Sequence, residues 1–262
     1  MIRIACVGDN CVDVYDGTGE SYPGGNPVNV AVYIRRLGGS ASYIGAVGGD
    51  AGGRMLLSAL GERGVDVSRV RVLPGATAVT HVSRINGERV FGEYDEGVTA
   101  DFRPSPEDVE FMCSHDLVVS GIWGHAEGCL GELRRRGIPV AFDCSEYPED
   151  AVSAAALKNT DIAFFSDDVS DDAALRGRIR AAAALGPAIV AATRGGRGSL
   201  VLAGGNFYEG SITPCSVADT MGAGDSFIAG FLYARLGGAD IPACIRAGSD
   251  CSAVTLGYYG AW

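Results

Sequence analysis

The chain has 262 residues, 47% hydrophobic and 20% charged, which suits one globular domain with a substantial buried core. Its formal net charge of −11 argues against a nucleic-acid surface, which needs clustered Lys and Arg. Apolar stretches are interrupted well before the ~20 residues that span a bilayer, and residues 1–7 lead into a strand pattern without a signal-peptide layout, so a cytoplasmic setting is expected.

Apolar runs at 2–7, 41–47, 117–120, 139–143, 162–165 and 188–193 predict buried strands. Helical patterns fall at 27–37, 54–63, 127–136 and 172–184, with two more at 226–236 and 241–255. This alternation predicts an α/β fold with a parallel sheet covered on both faces. The exception is residues 80–94, where alternating segments flank Asn86-Gly87. Both central residues of a type I′ turn need positive φ, so Asn-Gly is a strong hairpin signal. Such a hairpin does not fit a parallel sheet, and it reads as a flap or lid at about 79–96. Eight cysteines without a C-x-x-C pair read mostly as small core residues. The three histidines lack ligand spacing for zinc.

The segment Asp219-Thr220-Met221-Gly222-Ala223-Gly224-Asp225 precedes an apolar helical run. Glycines let backbone approach a ligand, and a helix N-terminus offers free NH groups with partial positive charge. Gly222, Ala223 and Gly224 can therefore form an anion hole for a transferring phosphoryl group. Asp225 at its mouth can accept the proton of an attacking hydroxyl. The plainer alternative is that Asp225 only caps the helix.

Asp-Thr-x-Gly-Ala-Gly-Asp resembles the C-terminal signature of the ribokinase/PfkB carbohydrate kinases. Gly24-Gly25-Asn26-Pro27-Val28-Asn29-Val30-Ala31 resembles the family's N-terminal signature, whose glycines and asparagine line the sugar site. Asp13, five residues after Gly8, matches an aspartate at a strand end that binds sugar hydroxyls. Gly48-Gly49-Asp50 with Gly53 matches a further element, and Thr193-Arg194-Gly195-Gly196-Arg197-Gly198 resembles a turn that contacts nucleotide phosphates through Thr193, Gly195 and Gly198. The resemblance implies a ribokinase-like three-layer α/β/α sandwich with a small β lid, completed by a short connection at about 14–23. It implies one kinase domain over 1–262, often paired between two subunits through the lids, using ATP and Mg2+. Residues 95–102, 122–127 and 259–262 look like the branch that phosphorylates the 6-hydroxyl of fructose-modified lysine. Kinases for ribose, fructose or a nucleoside share the main signatures. A silent sugar-binding protein on the same fold is the alternative from another class. A Rossmann dehydrogenase fits poorly, because Gly-x-Gly-x-x-Gly does not follow the first strand.

Individual residues carry competing readings. Asp13 lies past the first strand, where open α/β sheets bind ligands, and otherwise serves as a turn cap. Asn29 sits in a helical pattern where Asn has poor propensity, which suggests a polar task, either a sugar contact or a buried hydrogen bond. Trp123 and His125 follow the strand at 117–120 and are substrate candidates, or a core and a solvent-facing residue. Arg89, Glu93, Asp95 and Glu96 form a solvated edge or a lid that reads a charged substrate. The family's Asn-x-x-Glu element, which positions the magnesium shell, has Ser166 and Val169 in its place. Ser166 and Thr220 remain nucleotide-side candidates, with the metal ligands unassigned.

Overall fold

The apolar run near the N-terminus forms β1 (Arg3–Val7), with Ile4 to Val7 fully buried. It is followed by β2 (Cys11–Tyr15), β3 (Ser21–Gly24), α1 (Asn26–Arg36), β4 (Ser40–Gly48), α2 (Ala51–Glu62) and β5 (Asp66–Leu73). Next come β6 (Val79–Ile85), β7 (Glu88–Asp95), α3 (Pro106–Met112), β8 (Leu117–Gly121), α4 (Glu127–Arg135) and β9 (Val140–Asp143). The chain continues through α5 (Ala151–Leu157), β10 (Ile162–Ser166), α6 (Asp172–Leu185), β11 (Ile189–Thr193), β12 (Ser199–Ala203) and β13 (Asn206–Gly210). It closes with α7 (Ala223–Leu236) and α8 (Ile241–Thr255). The structure is a computed structural model that describes residues 1–85 and 88–262, and side chains outside 84–91. The Asn86-Gly87 turn and the Arg89 side chain therefore lie outside the described residues.

Nine strands form one sheet in the order β13-β12-β11-β10-β9-β8-β1-β4-β5. Pairing is parallel from β5 to β11, and only β12 and β13 join antiparallel. Strands buried on both faces read as continuous apolar runs, which is why these segments were visible in the sequence. One face carries α1, α7 and α8, whose Val28, Ile34, Phe227, Phe231 and Ile245 share a core with Ile4, Val119 and Phe164. The other carries α3 to α6, with Met112, Leu130, Leu157, Leu175 and Ile179 packed on Val118, Phe142 and Val190. This is the expected three-layer α/β/α arrangement.

A second, four-stranded sheet has the order β3-β2-β6-β7. The hairpin expected to stand apart from the parallel sheet supplies its β6 and β7, paired antiparallel. The short connection at about 14–23 supplies part of the rest: β2 pairs with β3 and runs parallel to β6. Asp13 accordingly sits within β2 rather than just beyond the first strand. Strand β5 escaped the sequence reading because it alternates exposed and half-buried residues without an apolar run, and β12 and β13 were not read as strands either. Helix α7 starts at Ala223 rather than 226, so Asp225 lies inside its first turn. Asp50 and Gly53, one of the signature elements, work structurally: Asp50 caps α2 from Gly53 N at 2.8 Å and also accepts from Thr77 N at 2.8 Å.

Candidate active site

The carboxyl ends of β1 and β9, strand β2 of the four-stranded sheet and the N-terminus of α7 bring four aspartates to one cavity of about 420 Å³. Asp9 follows β1 directly and is buried, accepting a hydrogen bond from Asn26 N at 3.1 Å. Asp143 closes β9. Asp13 is buried in β2, where Cys11 Sγ donates to its Oδ1 at 3.1 Å. Asp225 completes the group from the first turn of α7. Burial raises the carboxyl of Asp9 to about 7, with Asp225 and Asp13 adding repulsion against the lowering hydrogen bond from Asn26. Burial likewise raises Asp143 to about 7, and Asp225 adds to it.

Two asparagines of α1 hold this acidic cluster together. Asn26 Nδ2 donates to Asp143 Oδ2 at 2.8 Å and to Asp225 Oδ1 at 2.7 Å. Asn29, buried, donates through Nδ2 to Asp225 Oδ2 at 2.6 Å. Its own Oδ1 accepts from Trp262 Nε1 at 2.8 Å. The poor helix former Asn29 thus has the polar task its position suggested, and its hydrogen bonds go to Asp225 and Trp262. Gly25 precedes α1 with φ 110°, and a Cβ there would stand 2.5 Å from Asn10 Cα. Gly24 leaves room for the Asp13 carboxylate beside it.

The loop before α7 is held by Asp219. It is buried and accepts from Thr220 N at 2.7 Å, Met221 N at 3.3 Å, Gly260 N at 3.1 Å and Tyr15 Oη at 2.7 Å. Gly222 then caps the helix in the left-handed region, φ 72°, and no side-chain cap is present. The N-cap position belongs to Gly222, and Asp225 is the third residue of the helix. Beyond Gly222, Ala223 and Gly224 line a second cavity of about 290 Å³. That cavity also takes in Ser166, Thr193, Gly195 and Gly198, together with Ser249 and Ser252 of α8. Ser166 Oγ and Thr193 Oγ1 lie 2.9 Å apart. Glu146 lines both cavities, so they adjoin at the start of α7.

The structure thus brings Asp13, Gly25, Asn29, Trp123 and Asp225 to one cavity, and Ser166, Thr193, Gly195, Gly198, Ala223 and Gly224 to its neighbour. Among the described lining residues of either cavity, Gly24, His125, Thr220 and Gly222 do not appear. His125 stands with Nε2 3.4 Å from Glu96 Oε2. Sequence reasoning gave no individual role to Asp9, Asn26, Asp143, Glu146, Tyr147 or Trp262, although Asn26 and Trp262 fall inside the matched segments 24–31 and 259–262. For Asp9 and Asp143 the signal existed, since each ends a buried apolar strand at the edge where open sheets bind ligands. Nothing in the local pattern marked Glu146 or Tyr147.

The family model described as pfkB family carbohydrate kinase matches residues 1–262. The fructoselysine 6-kinase of Escherichia coli (strain K12) is 42% identical over 262 residues, covering all of both chains. A fructosamine kinase of Bacillus subtilis (strain 168) is 35% identical, covering 100% of this chain and 93% of its own. In fold the chain is similar to Arabidopsis thaliana ribokinase complexed with ribose and ATP, with TM-score 0.83 at 21% identity over 99% of this chain and 93% of that one. Paired cavities joined at a glycine-lined helix start, on a sheet of this topology, agree with that match over the whole length: the chain belongs to the pfkB family of carbohydrate kinases and is an ATP-dependent enzyme that phosphorylates a sugar derivative.

Proposed function

We propose that this kinase transfers the γ-phosphoryl group of ATP to the 6-hydroxyl of fructosyl-lysine, with Asp225 as proton acceptor. The position of Asp225 carries the reading. It faces the larger cavity while Ala223 and Gly224, just before it, line the smaller one, so a hydroxyl bound in the first meets a phosphate bound in the second. In this mechanism Asp13 and Asp9 accept hydrogen bonds from the sugar hydroxyls, with Gly24 and Gly25 giving the backbone room. Asp225 takes the proton of the 6-hydroxyl as its oxygen bonds to the γ-phosphorus, and the bond from phosphorus to the β-phosphate oxygen breaks to release ADP. The amides of Gly222, Ala223 and Gly224 stabilise the charge on the transferring group. Ser166, Thr193, Gly195, Gly198 and Thr220 serve the nucleotide.

Glu146 and Asp168 line the nucleotide cavity, and neither pairs with a basic side chain among the described residues. Two hard oxygen donors suit Mg2+, which commonly keeps several waters and uses few carboxylates. Bound there, the ion supplies charge neutralisation for the phosphates. This pair replaces the Asn-x-x-Glu arrangement that Ser166 and Val169 lack.

The acceptor follows from the charge of the larger cavity. Its described charged lining residues are all carboxylates, namely Asp9, Asp13, Asp143, Glu146 and Asp225, and Tyr94, Trp123 and Tyr147 add aromatic surface. A polyol bearing an ammonium group suits such walls through hydrogen bonds, ion pairing and cation–π contact. The relatives with the highest identities above are kinases of fructoselysine and fructosamine. His125 beside Glu96, and Arg89 on β7, are the residues assigned to the lysine portion. The four-stranded sheet, which contributes Cys11, Asp13, Thr80, Gly92 and Tyr94 to the cavity, serves as the lid, and two lids pair in a homodimer. A coupled ADP-release assay with MgATP and fructosyl-lysine, glucosyl-lysine, fructose and ribose tests the reading. Fructosyl-lysine should give the highest kcat/KM; equal or higher values for fructose or ribose overturn it.

A further inference from the structure

The aromatic residue Trp262 lies far in sequence from α7, yet it ends a chain of hydrogen bonds that reaches Asp225. An indole N–H only donates, and a carboxylate only accepts. Between them Asn29 presents its Oδ1 to Trp262 Nε1 at 2.8 Å and its Nδ2 to Asp225 Oδ2 at 2.6 Å. With one partner of each kind, the amide satisfies both in a single orientation. Rotated by half a turn, it would set its oxygen against the carboxylate and its NH2 against the indole N–H, two repulsive contacts in place of two hydrogen bonds. Asn26 is oriented by the carboxylates themselves, both of which take its Nδ2, and no donor meets its Oδ1 among the described residues.

The segment bearing Trp262 is itself anchored on several sides. Gly260 N donates to Asp219 Oδ2 at 3.1 Å, and Tyr33 Oη donates to the carbonyl of Ala261. Ala261 is buried against Met221 and Tyr15. The indole is therefore held where its N–H meets Asn29.

We infer that Trp262 is a positioning residue for phosphoryl transfer: its indole N–H orients the Asn29 amide, which in turn aims the Asp225 carboxylate at the acceptor hydroxyl. The inference rests on the reading of Asp225 as proton acceptor. Trp262→Phe keeps an aromatic ring near Arg63, whose guanidinium lies 5.6 Å from the indole centroid, and deletes the N–H together with part of the indole's bulk. It should lower kcat by roughly five- to tenfold, the scale of one lost hydrogen bond, while KM for ATP stays within about twofold. In an Asn29→Ala background there is no amide to orient, so the same change should leave kcat where Asn29→Ala alone puts it. Arg63→Ala, which removes the stacked cation and keeps the N–H, should leave kcat at the wild-type value. Wild-type kcat in Trp262→Phe, an equal fall in the Asn29→Ala background, or a matching fall in Arg63→Ala would each overturn the inference. Asp225→Asn separates the two levels: turnover retained there removes the acceptor itself, whereas an inert Trp262→Phe beside an inactive Asp225→Asn removes the relay alone.

Discussion

Four aspartates in one cavity repel one another, and the molecule offsets that repulsion with donors. Asn26 bridges Asp143 and Asp225, Asn29 adds a second bond to Asp225, and Cys11 donates to Asp13. Burial, with a smaller push from Asp225, raises Asp9 and Asp143 from 3.8 to about 7. Because the folded values are raised, these two groups favour the fold most when protonated, and that contribution is lost as pH rises from 3.8 towards about 7. Binding has the opposite sign. Sugar hydroxyls donate best to carboxylates, so the acceptor favours the ionised forms and its affinity falls as pH drops through about 7. Steady-state kinetics should show KM for the sugar rising by about tenfold between pH 8 and pH 6, the titration range of one such group, with KM for ATP nearly flat. Asp9→Asn should flatten part of that slope. A sugar KM independent of pH over this range would rule out both carboxylates as acceptor contacts. The aspartate at 13 and the asparagine at 29 were visible as candidates because each sat badly or suggestively in a local pattern. Asn26 lay inside the matched segment 24–31 but drew no role of its own, because at the start of a helix an asparagine is unremarkable and its bonds to Asp143 and Asp225 exist only in the folded chain.

At the scale of one element, the start of α7 combines two glycines with different duties. Gly222 has φ 72°, and a Cβ there would stand 2.9 Å from Ala261 Cβ. Gly222→Ala should therefore cost about 1–2 kcal/mol from the left-handed conformation alone. For a domain of this size each kcal/mol lowers the unfolding midpoint by roughly 2–4 °C, and kcat should fall as the loop shifts. Gly224 has an ordinary helical place, and a Cβ there would meet nothing within 4 Å. Because Gly224 lines the nucleotide cavity, Gly224→Ala should leave the midpoint unchanged while impairing kcat/KM for ATP. Thermal unfolding and kinetics on the pair check this. Equal effects on stability would mean that the two glycines share one structural role. The glycine-rich run was legible as a helix start, but the extent of α7 was not. The helix begins three residues before its apolar run does, because hydrophobic periodicity marks only the buried part of a helix.

In the whole molecule, a parallel sheet carries the site on its strand ends while a separate sheet covers it from β2, β6 and β7. Strands at the edge of a four-stranded sheet expose unpaired backbone groups, and a second lid can cover them. Sedimentation at assay concentration should therefore give twice the chain mass of 27.0 kDa. A monomer with full activity would remove the paired lids. Local chemistry in the sequence determined most of the buried strands, the two-layer helical cover, the hairpin and the glycine-rich start of α7, because apolar runs, Asn-Gly and clustered glycines act within a few residues of themselves. Tertiary structure alone decided that Asp13 belongs to the four-stranded sheet rather than to the first strand's end. It also set Glu146 at the border of both cavities, and joined Trp262 to Asp225 through Asn29. Those contacts span up to 233 residues of sequence, and no periodicity or motif can encode a hydrogen bond whose two ends meet only when the helices and sheets have packed.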